Sequence, residues 1–343
     1  MQRVILITGG AGFIGSNFTN YWSEKFPEDK IIVLDKLTYA GDPDNLSKLN
    51  LNPNFEFVQG DVVDAAVVDF CVQRANIVVH FAAETHVTRS LFDSREFVLT
   101  DVLGTQNILS SIVRNRVNID KYVHISSSEV YGTALSTYMG ENHPLNPLSP
   151  YAAAKCGADR LVYSFIESYQ IPGVIIRPFN NFGPNQHLEK LIPRFITGAL
   201  TNEPLIIHGG GESRRDFVFV EDTCRIIDSV ITSNIAFKES DYVLNIGTGN
   251  SVSVLEIANL VLAKFQSTSS IIKFTDDRPG QVSRHTADTN ILNEFFDVSS
   301  MIQFSEGLSR TIDWYTQNET WWRKRWSSRE IEITLPDGRK VIH

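Results

Sequence analysis

Tyr151 and Lys155 stand four residues apart in "SPYAAAK", a spacing that puts both side chains on one helix face. Ser149 and Pro150 just before them read as an N-cap and a first helical residue. An ammonium beside a phenol favours the phenolate and so lowers the tyrosine pKa toward working pH. Such a pair can accept a proton from a sugar hydroxyl while a hydride leaves the same carbon. On their own the two residues also fit an ordinary amphipathic surface helix. Upstream, "HISSSEVYG" runs an apolar strand into Ser126, Ser127, Ser128 and Glu129. The carboxylate is a candidate base. A serine hydroxyl can orient or relay but is a poor proton source. The alternative is a serine-rich surface turn.

A second constellation lies at the start of the chain. "LITGGAGFIGSN" spaces Gly9, Gly12 and Gly15 as GxxGxxG between a strand and a helix. One glycine makes the tight turn, one admits a pyrophosphate to the backbone, and one packs helix on strand. The helix N-terminus then offers free N–H groups to phosphate. Asp35 closes the next strand 20 residues after Gly15, where an acid grips a ribose 2′-hydroxyl and repels a 2′-phosphate. This favours NAD over NADP. Asp35 also fits a turn residue, and Asp61 after "FVQG" fits either an adenine contact or a helix cap.

These residues need a scaffold, and the pattern supplies one. "RVILIT", "KIIVLD", "FEFVQGD", "NIVVHFAA", "KYVHISS" and "GVIIRPFN" are short apolar strands separated by helical segments, including a long helix near 94–114 and another from Pro150. The alternation predicts an α/β fold, a doubly wound parallel Rossmann sheet with a smaller C-terminal substrate-binding lobe. Residues 1–178 are expected to form the dinucleotide-binding domain, with a strand near 242–247 returning to it. Residues 179–325 form the lobe, within which "PLIIHGGGESRRDFVFVED" reads as two short strands around a glycine-rich turn. The segment 326–343 is a tail of open role, in which "EIEITLPDGRKVIH" is compatible with a hairpin or a disordered extension.

The totals narrow the function. The 343 residues are 42% hydrophobic with a net charge of −9, so no basic stripe points to nucleic acid. An anionic substrate must then be held by local arginines and helix N-termini. Three scattered cysteines suit neither a metal site nor a disulfide framework and imply a reducing compartment. No run is apolar enough to span a membrane, and the chain opens directly on a strand. The expectation is a cytoplasmic enzyme with no metal.

"TGGAGFIGSN", "DKLTYAGD", "HFAAETHVTRS", "SSSEVYG", "SPYAAAK", "NNFGPNQHLEKLIP", "RRDFVFVED", "NIGTG" and "DRPGQVSRH" together resemble the extended short-chain dehydrogenase/reductases. Within them the chain looks most similar to nucleotide-sugar 4,6-dehydratases, especially the dTDP-glucose enzymes, over about residues 1–318. The resemblance implies that Tyr151 takes the O4 proton, that Lys155 holds the nicotinamide ribose, that Ser127 bonds O4 and that Glu129 removes the C5 proton. It implies NAD contacts from Gly9, Gly12, Phe13, Ile14, Gly15, Asp35, Lys36, Thr38, Asp61, Val62, Ala82, Ala83 and Thr100 as well as Tyr151 and Lys155. For the nucleotide-diphosphate sugar it implies His86, Arg89, Asn181, Lys190, Leu191, Arg215, Asn245 and Arg278. His86 is equally compatible with a structural role. A homodimer through the helices near 94–114 and 150–168 is also implied.

Three positions depart from the dTDP-glucose pattern. Ser128 replaces the aspartic acid that protonates the departing C6 hydroxyl, although the similar GDP-mannose dehydratases also read Ser-Glu there. Thr88 replaces an aspartate, and Asp101 replaces an asparagine. These leave room for another sugar, such as UDP-N-acetylglucosamine. UDP-glucuronate decarboxylases, which also carry Ser-Glu, and 4-epimerases are the near alternatives. An inactive NAD-binding regulator is the alternative from a different class.

Overall fold

β-branched and leucine-rich runs need neighbours on both faces, and the sheet provides them. The computed structural model describes residues 2–115, 119–233, 235, 237, 240, 242–265, 269–276, 284–329, 332–334 and 340–342. Strand β1 (Val4–Thr8) leads through helix α1 (Phe13–Lys25) to β2 (Lys30–Asp35), β3 (Phe55–Gln59), α2 (Ala65–Val72) and β4 (Ile77–His80). Two short helices, α3 (Val87–Ser90) and α4 (Arg95–Phe97), follow. The chain continues through a π-turn (Val98–Leu103) into α5 (Gly104–Arg114). Then come β5 (Lys121–Ile125), α6 (Pro150–Tyr169) and β6 (Gly173–Pro178). The long helix expected near 94–114 is therefore interrupted by a wider turn.

Beyond β6 lie β7 (Asn180–Phe182), α7 (Leu191–Thr201), β8 (Leu205–His208), β9 (Arg214–Phe219), α8 (Val220–Thr232) and β10 (Val243–Ile246). The seven-stranded sheet has the order β10-β6-β5-β4-β1-β2-β3, all parallel. The order reverses between β1 and β4, and ligands bind at such a switch point, outside the carboxyl ends of the strands. Side chains alternate as the pleat requires. Ile5, Ile7, Ile31 and Val33 pack with α1 and α8 on one face. Leu6, Ile32 and Leu34 pack with α2, α5 and α6 on the other. Each such burial contributes about 1.5–3 kcal/mol.

The rest of the chain comprises β11 (Ser251–Ser253), α9 (Val254–Lys264), β12 (Ile272–Thr275), β13 (Arg284–His285), α10 (Asn290–Asn293), α11 (Phe304–Gln317) and α12 (Glu319–Arg323). Helix α10 packs on the sheet through Leu292, while α9, α11 and α12 form a smaller lobe with β7, α7, β8 and β9. Its own core includes Phe182, Phe195, Phe217, Tyr315 and Trp322. The strands on either side of "GGGES" do not pair with each other. β8 pairs with β12, whereas β9 pairs with β7, β11 and β13. In the tail, β14 (Glu332–Thr334) and β15 (Lys340–Ile342) pair antiparallel.

Candidate active site

The glycine loop follows β1 at the switch point. Gly9 has φ +68°, and a Cβ there would lie 2.6 Å from the Ala82 amide nitrogen. A Cβ on Gly15 would lie 2.2 Å from the Gly9 carbonyl oxygen. At Gly12 it would meet only that carbonyl, at 3.3 Å, and then open space. No side chain caps α1 at Gly12, and no acid lies in its first turn. Backbone and helix dipole are thus left to an anion.

Asp35 faces this loop. Its Oδ2 accepts from the Ala11 amide (2.9 Å) and its Oδ1 from the Leu37 amide (2.8 Å). Burial raises its pKa, and these two amides oppose the rise. Leu37 sits at φ +60°, a conformation uncommon for a leucine, and the carboxylate bond holds that turn. Asp35 therefore serves as turn residue and cleft residue together. Asp61 accepts from the Val63 amide through Oδ1 and pairs with Lys36 through Oδ2 (2.7 Å).

The serine run divides its labour. Ser126 Oγ donates to Asp159 Oδ2 (2.9 Å), fixing the turn to α6. Ser127 caps the Glu129 amide and bonds the Tyr151 hydroxyl. Ser128 is buried and lines the cleft beside Glu129. Beneath them, Arg177 donates to both Asp159 oxygens (2.8 and 2.9 Å) and to the Tyr131 hydroxyl. Both members of that ion pair are enclosed, at 2% and 0% side-chain exposure.

The expected lowering of the Tyr151 pKa is not what the structure shows. Burial raises it, and the Ser127 hydroxyl is the group that pulls it down, while Asp101 and Glu129 push it further up. Lys155 is itself buried, its pKa is lowered by desolvation, and its Nζ donates to the Ile125 carbonyl (2.6 Å). The i,i+4 spacing put both residues on the right face, but burial outweighs the charge effect that spacing suggested.

Every residue expected to be catalytic or to contact NAD lines one cleft of about 350 Å³. The substrate set is dispersed. Asn181 and Lys190 line the same cleft. His86 does not. It caps α3 through Nδ1 and faces Glu189 through Nε2 (3.4 Å), and burial lowers its pKa to about 4, which favours the neutral imidazole. Asn245 is fully buried on β10, its side chain taken by the Tyr131 hydroxyl and the Met139 carbonyl. A direct sugar contact from it conflicts with that burial. Arg89 stacks over Tyr39 at 3.9 Å, and Leu191 opens α7 outside the cleft lining. Arg215 donates to the Arg214 carbonyl, and its charge couples to Glu129. Arg278 lies outside the described residues.

Glu189 was missed. Its buried carboxylate meets His86, His187 and Lys190 and accepts from the Tyr39 hydroxyl. Burial opposes its ionisation, but Lys190 and the histidines outweigh burial and hold it well below the usual range. The signal was present in "HLEK", where His187, Glu189 and Lys190 crowd together. Among the described residues no cluster of His, Cys, Asp and Glu suits a metal ion.

A doubly wound sheet with a glycine loop after its first strand, and a tyrosine and lysine one turn apart reaching the same cleft, is the architecture of the extended short-chain dehydrogenase/reductases. The sequence model for GDP-mannose 4,6 dehydratase matches residues 6–311, and the chain belongs to that family. It is 41% identical to the low-salt glycan biosynthesis protein Agl12 of Haloferax volcanii, over 91% of this chain and 98% of that protein. It is 38% identical to the dTDP-glucose 4,6-dehydratase of Streptomyces niveus, over 93% and 94% respectively. Among solved structures, the dTDP-glucose 4,6-dehydratase DesIV of Streptomyces venezuelae, crystallised with NAD, superposes with a TM-score of 0.88 at 36% identity. That match covers 94% of this chain and 99% of DesIV.

If Asp35 grips the ribose, Asp35→Ala should weaken NAD binding about 10- to 100-fold, the cost of a lost hydrogen bond to a charged group, and should narrow the preference over NADP. Titration calorimetry with both dinucleotides reads this out. Unchanged affinities would reduce Asp35 to its turn role.

Proposed function

We propose that this chain is an NAD-dependent nucleotide-sugar 4,6-dehydratase. It converts an NDP-hexose, of the dTDP-glucose or UDP-N-acetylglucosamine type, to the 4-keto-6-deoxy sugar with loss of water. The observation that carries this reading is that Glu129, Tyr151 and Lys155 line one cleft with the glycine loop. An epimerase has no need of the carboxylate.

Gly12 to Gly15, Asp35 and Lys155 would hold NAD, which when bound takes two electrons and a hydrogen from C4 and returns them at C6. Tyr151, tied to Ser127, takes the O4 proton. The ketone so made acidifies C5–H, and Glu129 removes that proton. Glu129 then passes it to the C6 hydroxyl, which departs as water, and Ser128 orients that hydroxyl. C5 finally regains a proton from solvent. Asn181 and Lys190 line the cleft and would meet the sugar and its diphosphate by giving up present partners, Phe179 and Thr223 for the one, Glu189 and the Thr85 carbonyl for the other.

The test is nuclear magnetic resonance of the enzyme with NAD and candidate nucleotide sugars in D₂O. A 4-keto product with a C6 methyl and one deuterium at C5 is expected. A pentose and CO₂ from UDP-glucuronate, or a C4 epimer alone, would overturn the reading.

We further propose residues 1–178 with β10 as the NAD-binding part, 179–325 as the substrate lobe less α8 and α10, which pack on the sheet, a cytoplasmic location and a homodimer. The free cysteines Cys71, Cys156 and Cys224 support a reducing compartment, and among the described residues no helix is long and apolar enough to cross a membrane. Val162 and Ile166 of α6 belong to the sheet core, leaving Leu161 and Phe165 only partly covered. Val87, Leu91, Phe92 and Val98 are exposed near the same helices. Light scattering should give about twice 38.6 kDa. A monomer at micromolar concentration would refute the dimer.

A further inference from the structure

Asp101 lies behind the cleft, outside its lining, and the mechanism above does not use it. It lies in the π-turn between α4 and α5, 1% exposed. Such turns insert an extra residue into a helix and occur often at functional sites. Oδ1 accepts from the Glu84 amide (2.9 Å), while Oδ2 is buried with no hydrogen-bond partner. A buried carboxyl oxygen in that state is costly unless the group holds a proton or shares one. The π-turn and the end of α4 pack on α6, with Phe97 of α4 edge-on to Tyr151 (6.3 Å) and a Cβ at Gly157 falling 3.5 Å from Val102 of the turn.

The titratable groups around Asp101 are Tyr151 and Lys155 from α6 and Glu84 from the segment after β4. From α5, Thr105 donates to the Asp101 carbonyl and contacts His80 Nε2. An asparagine, which the resemblance leads one to expect here, would make the same bond to Glu84 but could not ionise.

We propose that Asp101 is a positioning residue for proton transfer at Tyr151: its buried carboxyl, when charged, both compensates Lys155 and opposes phenolate at Tyr151, and when protonated does neither. This rests on the dehydratase reading. Burial raises the Asp101 pKa to about 7, with Lys155 and the Glu84 amide pulling against it. Below that pH the carboxyl is neutral and Lys155 keeps only the Asp159 carboxylate, which is already paired with Arg177, as a counter-charge. Above it, the new negative charge raises the Tyr151 pKa and restrains the base.

The variant Asp101→Asn keeps the shape and loses the charge. The rising limb of its kcat–pH profile should move to lower pH by about one unit, a gain of up to about tenfold on that limb. KM should change little. Infrared difference spectra of wild type against the variant, without substrate, should show a protonated-carboxyl band that disappears as pH rises through about 7. If Asp101→Asn does not fold, Asp101→Ala carries the same expectation. Superimposable pH profiles, or no titrating carboxyl band, would overturn the inference. Wild type that makes no 4-keto sugar would overturn the dehydratase reading instead, and the infrared measurement does not depend on it.

Discussion

Glu129→Gln should stop elimination while leaving C4 oxidation in place. The amide is the same size as the carboxylate, so the 127–129 turn, with Ser127 capping the residue 129 amide and bonded to Tyr151, has no reason to move. Tyr151 and Lys155 can still draw the O4 proton. An amide cannot take the C5 proton, so the ketone accumulates with its 6-hydroxyl intact. Formation of the 4-keto-6-deoxy product should fall about 10²- to 10⁴-fold, the usual worth of a positioned acid–base group. Borohydride should trap a hexose oxidised at C4, and solvent deuterium should no longer enter C5. Ser128→Ala is the contrast. If the serine only orients the leaving hydroxyl, the loss should stop at about one to two powers of ten, below that of a true proton donor. Full product formation by Glu129→Gln would show that another group is the base.

The second large effect lies under the site. Asp159→Asn should destabilise the fold by about 3–5 kcal/mol, because it strands the Arg177 guanidinium in a dry interior. It should also loosen Ser126, whose hydroxyl bonds Asp159, and with it the turn that carries Glu129. Urea midpoints at constant slope would measure the loss. A change below about 1 kcal/mol, the worth of a surface pair, would mean the pair is solvated. The pH dependence has a definite sign. Burial works against the Asp159 charge, but Arg177 and Arg160 outweigh it and hold the folded-state pKa below the ordinary value. The stability contributed by this carboxylate is therefore complete above its unfolded pKa. It is lost as pH falls through the depressed folded value.

Local chemistry was legible because it repeats at short range. Gly9, Gly12 and Gly15, Asp35 at a strand end, and Tyr151 four residues before Lys155 each follow from a turn, a strand or a helix whose geometry the chain sets over a few residues. The parallel, doubly wound character of the sheet followed from the alternation of strand and helix, since right-handed crossovers leave few arrangements. That same locality explains why the expected cofactor residues all line one cleft while the expected substrate residues are dispersed. His86 and Asn245 looked like contacts by their motifs, yet each gives polar atoms to partners far along the chain: Glu189 at Nε2 for one, Tyr131 and Met139 for the other. Glu189 was passed over for the converse reason, as its importance comes from Tyr39 and His86, more than a hundred residues away.

The amino-acid order by itself determined the α/β class, the dinucleotide loop and the set of groups able to do proton chemistry. Only the tertiary structure decided their protonation. Burial, not the neighbouring ammonium, dominates at Tyr151, and burial brings the Asp101 carboxyl to the edge of ionisation. Residue spacing encodes which groups meet, whereas desolvation depends on everything packed around them.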